Sequence, residues 1–330
     1  MPSIKERIKK ALPGWLVLIR RYRKVHGVFP NIIRPATFNE KTLYRMLFDR
    51  RPVLVQLADK AAVRSYVESR LGPQVLPKLY CLTTRPETIP FEQLPNRFVV
   101  KPTHGCGWVQ IIDDKSALDR SALVDTCTQW LNLSYHEITR EWVYKDIKPR
   151  ILIEEFVDDG GGTRPTDYRL FVFGGSVELI QVDIGQLTAG RVRLYTPAWE
   201  KLAPKDGSEV PRPAHLEEML AAARTLCGDL DFVRVDFYHT ARQLYFGELT
   251  TSPECAMGRF LLESLDRHLG ERWKLPPLRK LRPASRSRNA GTDGLADLTE
   301  QTTNQRSFYH DRVTVQTSPA PAASNVRTTT

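Results

Sequence analysis

The chain reads as an α+β protein in which mainly antiparallel sheets carry helices against one face. Three observations predict this. Phe232-Val-Arg-Val-Asp-Phe-Tyr238 and Leu244-Tyr-Phe-Gly-Glu-Leu-Thr250 are β-rich runs around a short polar break, the pattern of an antiparallel hairpin. Further β-rich runs at 167–173, 177–184 and 191–196 precede it. Apolar residues recur at helical spacing over 36–70, 117–133, about 214–227 and about 258–270.

Taken in order, the first element is a basic amphipathic segment. Ile4, Ile8, Leu12, Trp15, Ile19 and Tyr22 recur at roughly helical spacing with Lys and Arg between them. Packing on the body and docking on an anionic membrane surface both fit this pattern, the first better. Within 36–70, Asn39-Glu-Lys opens one helical run, and Asp59-Lys-Ala-Ala-Val-Arg-Ser-Tyr-Val67 forms another. Arg97-Phe-Val-Val-Lys-Pro102 is a short strand ended by proline, and it runs into Thr103-His-Gly-Cys-Gly-Trp108. Ile151-Leu-Ile-Glu-Glu-Phe-Val157 is a strand broken at Asp158-Asp-Gly-Gly-Gly162. Beyond Pro276 the chain is rich in Ser, Thr, Arg, Asn, Ala and Pro, so 284–330 is expected to be disordered.

The hairpin carries the chemistry. A turn centred on Arg242 places Asp236 opposite Glu248 and Arg234 opposite Thr250. One face then holds Arg234, Asp236, Glu248 and Thr250, and the other holds Val233, Val235, Phe237 and Leu249. Opposed carboxylates repel unless a cation lies between them, and a hard divalent ion such as Mg²⁺ would serve. A solvated polar face is the bland alternative. A slip of one residue would separate the acids, so the reading depends on that register.

Composition narrows the function classes. The net charge is +10, but residues 1–24 hold eight Lys/Arg against one Glu, and 276–330 hold eight against four acids. The body between them is near neutral, so a basic nucleic-acid-binding surface is not supported. No apolar run approaches a membrane span, and no h-region of adequate length follows the basic start. The five cysteines are odd in number and lack CxxC spacing, which argues against a disulfide framework or zinc site and fits a reduced, cytoplasmic setting.

The polar punctuation runs Asp59-Lys60, Lys101 before a glycine loop, Glu154-Glu155, Asp167-Tyr-Arg169, Arg234-Val-Asp236 and Glu248-Leu-Thr250. Gly105 and Gly107 would free backbone N–H groups to cradle phosphate. The order resembles the ATP-grasp superfamily, and PATFNEK, LADKAAVRSYV, FVVKPTHGCGW, EWVYKDIKPRILIEEFV and YFGELTTSP resemble its TupA-like branch from teichuronopeptide and surface-polysaccharide clusters. The resemblance runs from about residue 20 to 262. SPECAMGRF departs from its glycine-rich ending, with Glu254 and Cys255 where small residues would be usual, and Thr250 stands where most of the superfamily has Asn.

That resemblance implies two lobes clasping ATP. It divides the chain into a helical segment 1–50, N-terminal and central lobes 51–157, a C-terminal lobe 158–275 and the tail 276–330. Lys60 and Lys101 would bind phosphate oxygens beneath the Gly105–Gly107 loop. Glu154 would accept from the adenine amino group, with backbone groups of Glu155 and Val157 on the adenine edge. Asp167 would hold the ribose, and Arg169 would lie near the phosphates or acceptor. Asp236 and Glu248 would bind Mg²⁺, Thr250 more weakly, and Arg234 would face the γ-phosphate. The implied activity is ligation of an amine to a carboxylate through an acyl phosphate, on a uronic acid or glutamate of a surface polymer. Other polysaccharide-biosynthesis enzymes would be its partners. Lys145, Lys148, Arg150, Arg164, Arg191 and Arg193 are candidates for binding the acid. Cys106 reads as a small loop residue, and His104 as either a phosphate donor or loop packing. The rivals are a glycosyltransferase, an ATP-grasp kinase and a catalytically silent nucleotide-binding scaffold.

Overall fold

A computed structural model describes residues 12–158, 165–183, 192–202, 209–240, 243–260 and 262–281. Ile4, Ile8, Arg164, Arg191 and the tail 284–330 lie outside these residues, as does the tip of the hairpin at 241–242. Helix α1 (Gly14–His26) leads into α2 (Phe38–Phe48), α3 (Pro52–Ala58) and α4 (Ala62–Leu71). A four-stranded antiparallel sheet follows, in the order β1 (Leu79–Thr83), β4 (Ile151–Glu155), β2 (Phe98–Pro102), β3 (Gln110–Ile112). Helices α5 (Arg120–Asn132) and α6 (Tyr135–Thr139) lie in the connection between β3 and β4. Leu123 and Cys127 of α5 pack on Phe98, Val100, Ile151 and Ile153 of this sheet.

The second sheet has six antiparallel strands. It includes β5 (Asp167–Phe173), β6 (Ser176–Asp183), β7 (Val192–Tyr195) and β8 (Lys201–Leu202), then, after α7 (Leu216–Cys227), β9 (Val233–His239) and β10 (Leu244–Thr250). Their order is β10-β9-β5-β6-β7-β8, and α8 (Glu263–Arg272) follows. Gly174 and Gly175 join β5 to β6 with φ of +53° and +85°, the left-handed pair that a tight hairpin turn requires.

Alternation on these strands separates two faces. Tyr168, Leu170, Val172, Val233, Val235 and Phe237 meet α7, α3 and α4 in the largest core. Helices α3 and α4, grouped by the sequence with the first lobe, therefore share their core with the six-stranded sheet. The opposite face is divided. Phe171, Phe173 and Leu179 lie under Phe38 of α2 and Leu269 and Trp273 at the end of α8, while Asp167, Arg169, Arg234 and Asp236 occupy its other half. Residues at one end of this face build core, and those at the other end remain available for chemistry.

Helix α1 differs from its expected stripe. Val17, Leu18 and Tyr22 are buried, whereas Trp15 is exposed and Ile19 only half-buried. The helix docks through a face rotated from the one read in the sequence, because the pocket of Leu43, Met46 and Ala256 receives Leu18 and Tyr22. Among the described residues no helix is long and apolar enough to cross a membrane.

Helix α2 starts with a capping box: Thr37 Oγ1 accepts from the Glu40 amide, while Glu40 accepts from the Thr37 amide. The α8 backbone approaches that cap so closely that a Cβ on Gly270 would stand 2.1 Å from the Ala36 carbonyl oxygen. Lys41 Nζ ties the contact by donating to the Gly270 and Trp273 carbonyls, each at 2.7 Å. Gly270→Ala is expected to lower unfolding stability by about 2 kcal/mol, since backbone must shift to admit the methyl group. Urea unfolding measures it, and an unchanged midpoint would contradict the close approach.

Candidate active site

The hairpin pairs Asp236 with Glu248 and Arg234 with Thr250, as the sequence register requires. Nearer the turn the register changes: Phe246 pairs with Phe237 and Leu244 with His239. Gly247 is the extra residue of a β-bulge between them. Strict alternation would put Leu244 and Phe246 on the same face as Glu248. The bulge instead sends Leu244 and Phe246 into the core and turns Glu248 and Thr250 to the cleft. Gly247 suits the position because a Cβ there would lie 3.0 Å from the Asp236 carbonyl oxygen.

On the cleft face, four carboxylates meet two guanidinium groups. Arg234 donates to both Asp236 oxygens, Nε to Oδ1 at 2.8 Å and Nη2 to Oδ2 at 2.7 Å, and Nη2 also reaches Thr250 Oγ1 at 3.1 Å. Arg169 is held by Asp167 at 3.1 Å and Asp183 at 2.7 Å, and its Nε stands 3.8 Å from Asp236 Oδ2. Burial pushes the Asp236 carboxyl upward, against the Arg234 guanidinium that favours its ionised form. The carboxylate of Asp236 therefore meets guanidinium groups at the point where the sequence reading called for a cation.

The facing wall comes from the four-stranded sheet and α3–α4. Lys60, Arg64, Lys101, Glu154, Phe246 and Glu248 line a narrow cleft with room for about one water, some 20 Å³. Lys101 Nζ pairs with Glu154 Oε1, and Arg64 Nη1 stands 3.3 Å from Glu154 Oε2. Glu154, expected to meet an adenine amino group, is thus held by two cations. Lys60 Nζ donates to the Gly105 carbonyl and stands 4.0 Å from Glu248 Oε1, so it links the glycine loop to the hairpin. The Lys60 amide bonds the Thr103 carbonyl at 3.2 Å, and Asp59 receives Arg150 at 3.0 Å.

The loop after β2 needs its glycines for different reasons. Gly107 has φ +77°, while a Cβ on Gly105 would meet the Trp108 ring at 2.7 Å. His104 is buried, with Nε2 donating to the Trp130 and Leu133 carbonyls at 3.0 and 3.2 Å, so it packs the loop. Cys106 is exposed, and the negative charge of Glu248 pushes its thiol up, which keeps it protonated near neutral pH. Glu155 has its amide on the Lys78 carbonyl and one carboxylate oxygen on the Lys78 amide, each bond near 3 Å. Val157 is buried just past the end of β4. Of the candidate acid-binding cations, Lys145 and Lys148 are exposed, Arg150 is paired, and Arg193 is buried.

Sequence reasoning missed Glu141. Its buried carboxylate accepts from Ser252 Oγ and from Cys255 Sγ at 3.0 Å, tying the segment after α6 to the chain after β10. Glu254, Cys255 and Ala256 there all have left-handed φ, of 50°, 53° and 65°. Such strain costs on the order of 1–3 kcal/mol per residue and persists only where surrounding contacts enforce it. Tyr135 and Tyr144 stand beside this segment with ring centroids 4.7 Å apart. Glu141 lies within the quoted block EWVYKDIKPR, but residue order gave no sign that its carboxylate would be buried.

Asp236 and Glu248 offer hard oxygens, and each Asp236 oxygen that accepts from Arg234 retains a second lone pair. Lys60 and Lys101 supply positive charge on the opposite wall. The residues present fit a magnesium–phosphate group.

The TupA-like ATP-grasp family model matches residues 40–274, beginning and ending later than the span read from the motifs. This protein is an ATP-grasp protein. Within that class, the chain belongs to the TupA-like family. Among solved structures it is similar to D-alanine–D-alanine ligase from Bacillus anthracis complexed with ATP, at 16% identity and TM-score 0.37, covering 61% of this chain and 56% of that one. The L-amino acid ligase from Bacillus licheniformis matches at 14% identity and TM-score 0.40, covering 75% of this chain and 50% of that one. For the D-alanine–D-alanine ligase from Helicobacter pylori the values are 16% and 0.43, with 73% and 70% covered. The chain thus spans about half the length of the first two. Comparison with curated proteins gave no match.

Burial pushes the Glu141 carboxyl above its ordinary range, more than its hydrogen bonds pull it down. The folded protein therefore binds that proton more tightly than the unfolded chain. The group's stability contribution is complete below the unfolded value of about 4.3 and declines as pH rises towards the folded value. Glu141→Gln should consequently gain on wild type as pH is raised above about 4.3. Urea unfolding across a pH series measures the difference, and a pH-independent difference would refute the assignment.

Proposed function

We propose that this protein is an ATP- and Mg²⁺-dependent carboxylate–amine ligase acting through an acyl phosphate. Its acceptor would be a uronic acid or glutamate carboxylate of a surface polysaccharide or related polymer, and it would act alongside other polysaccharide-biosynthesis enzymes. The carrying observation is the bulged hairpin, which turns Glu248 beside Asp236, Arg234 and Thr250 and opposite Lys60.

Oxide is not a viable leaving group from a carboxylate at neutral pH. Phosphorylating the acid provides phosphate as the leaving group, so the protein must align acid, γ-phosphate and amine and neutralise the oxygens between them. Lys60 and Lys101 hold phosphate oxygens in this reading, with Lys101 exchanging Glu154 for phosphate. Asp236 and Glu248 would hold magnesium, which when bound withdraws charge from the phosphate oxygens. Thr250 adds a neutral, weaker oxygen. Arg234, fixed by Asp236, faces the transferring group, and Arg169 is oriented by its aspartates towards phosphate or acceptor. Asp167 would take the ribose hydroxyls, while the Glu155 carbonyl and Val157 amide would take the adenine edge. The narrowness of the cleft means that nucleotide entry requires its walls to separate.

The test supplies ATP, magnesium and hydroxylamine with glucuronate, galacturonate, glutamate or poly-γ-glutamate. A hydroxamate should form with one ADP for each hydroxamate, and oxygen label in the acid should pass to phosphate. A phosphorylated hydroxyl product would instead identify a kinase. Glu248→Gln should abolish the magnesium dependence of nucleotide binding and reduce turnover by about 10²-fold or more. Nucleotide affinity indifferent to magnesium in both proteins would remove the metal assignment.

A further inference from the structure

The loop between α1 and α2 holds large apolar side chains out to solvent. Val28 and Phe29 are each 62% exposed and Ile33 is 85% exposed. Neighbouring Ile32 points the other way and packs against the buried cluster of Leu18, Tyr22, Leu43 and Met46. The loop is bonded into this shape. Asn31 Oδ1 accepts from the Ile33 and Arg34 amides at 3.2 and 2.9 Å, and the Asn31 amide donates to Glu40 Oε1 at 2.9 Å. Gly27 ends α1 with φ +79° and turns the chain outward.

The charge carried by the segment itself is of one sign. Residues 12–34 contain five Lys/Arg and no Asp or Glu. Arg20, Arg23, Lys24 and Arg34 are exposed, and Arg23 stacks on Phe29 with its guanidinium carbon 4.5 Å from the ring centroid. The acids packed behind the loop are already engaged: Glu40 accepts from the Asn31, Ala36 and Thr37 amides, and Asp266 accepts from the Asn39 amide. An apolar tip within a cationic rim complements a surface that is anionic at its boundary and apolar beneath.

We propose that residues 27–34 dock the protein on an anionic lipid bilayer, with Phe29 and Ile33 entering the interface and Arg20, Arg23, Lys24 and Arg34 meeting headgroups. The placement matters for the site. His26 Nε2 donates to the Ala256 carbonyl at 3.0 Å, Arg259 Nη2 bonds the Val25 carbonyl, and Asn39 Nδ2 bonds the Gly258 carbonyl at 3.0 Å. The docking loop is therefore fixed to the left-handed segment that follows the Glu248 strand. A substrate anchored in the membrane would approach from this end.

The experiment uses the full chain and vesicles of phosphatidylcholine with or without about one-third phosphatidylglycerol, and it needs no substrate. Sedimentation should show binding to the anionic vesicles that weakens as salt rises. Phe29→Ser combined with Ile33→Ser should reduce that binding by about tenfold or more, with an unchanged melting temperature. Both side chains are exposed, so neither change removes core packing. Absence of binding, equal binding to neutral vesicles, or binding undiminished in the double variant would each overturn the proposal. The last result would assign membrane affinity to basic charge elsewhere in the chain.

Discussion

Placing several carboxylates on one face of a sheet is the constraint around which this molecule is arranged. Asp167, Asp183, Asp236 and Glu248 occupy adjacent strands, and without compensation their repulsion would oppose the pairing of β5, β6, β9 and β10. Arg169 and Arg234 resolve this by lying between them. Breaking a buried pair of this kind is far more costly than never having built it, because the surviving charge has no partner. Arg234 thus serves the fold as well as the proposed chemistry. Its alanine variant would leave the buried Asp236 with only Arg169, 3.8 Å away, to oppose its charge, making a loss of rate inseparable from a loss of structure.

The second structural device is the bulge at Gly247. Phe237 and Phe246 must face the core while Asp236 and Glu248 face the cleft, and β9 achieves this by ordinary alternation. Leu244, Phe246, Glu248 and Thr250 all share one parity, so β10 cannot meet both demands without an extra residue. One glycine reverses the phase and brings the acids together. Glu248 then stands 4.0 Å from Lys60, which holds the Gly105–Gly107 loop through the Gly105 carbonyl.

The hairpin, the β2 strand with its glycine loop and most helices were legible because their signals are local: alternation, proline and glycine punctuation, and capping residues. The register at Asp236 and Glu248 was legible for the same reason. The bulge was not, since a uniform register with its turn at Arg242 reproduces the functional pairs while misplacing Phe246. Glu141 was missed because its importance is created by Ser252 and Cys255, more than a hundred positions away. The buried face of α1 was misassigned because Trp15 strengthens one helical stripe, whereas the cavity formed by Leu43, Met46 and Ala256 accepts Leu18 and Tyr22. Periodicity identifies an amphipathic helix but not the shape of the surface that receives it.

The departure at Ser252–Cys255 acquires a physical explanation from the same contacts. A left-handed run of three non-glycine residues is unfavourable, and glycine would relieve it. Here the strain is opposed by fixed partners: Glu141 holds Ser252 and Cys255, His26 holds the Ala256 carbonyl, and Ala256 is fully buried. The segment leaves β10 immediately after Thr250, so its shape governs what can stand beside Glu248 and Arg234. Glu254 adds a carboxylate whose field reaches the Arg234 guanidinium. The partners of this segment, more than its own residue types, therefore set the shape of the chain beside Glu248 and Arg234.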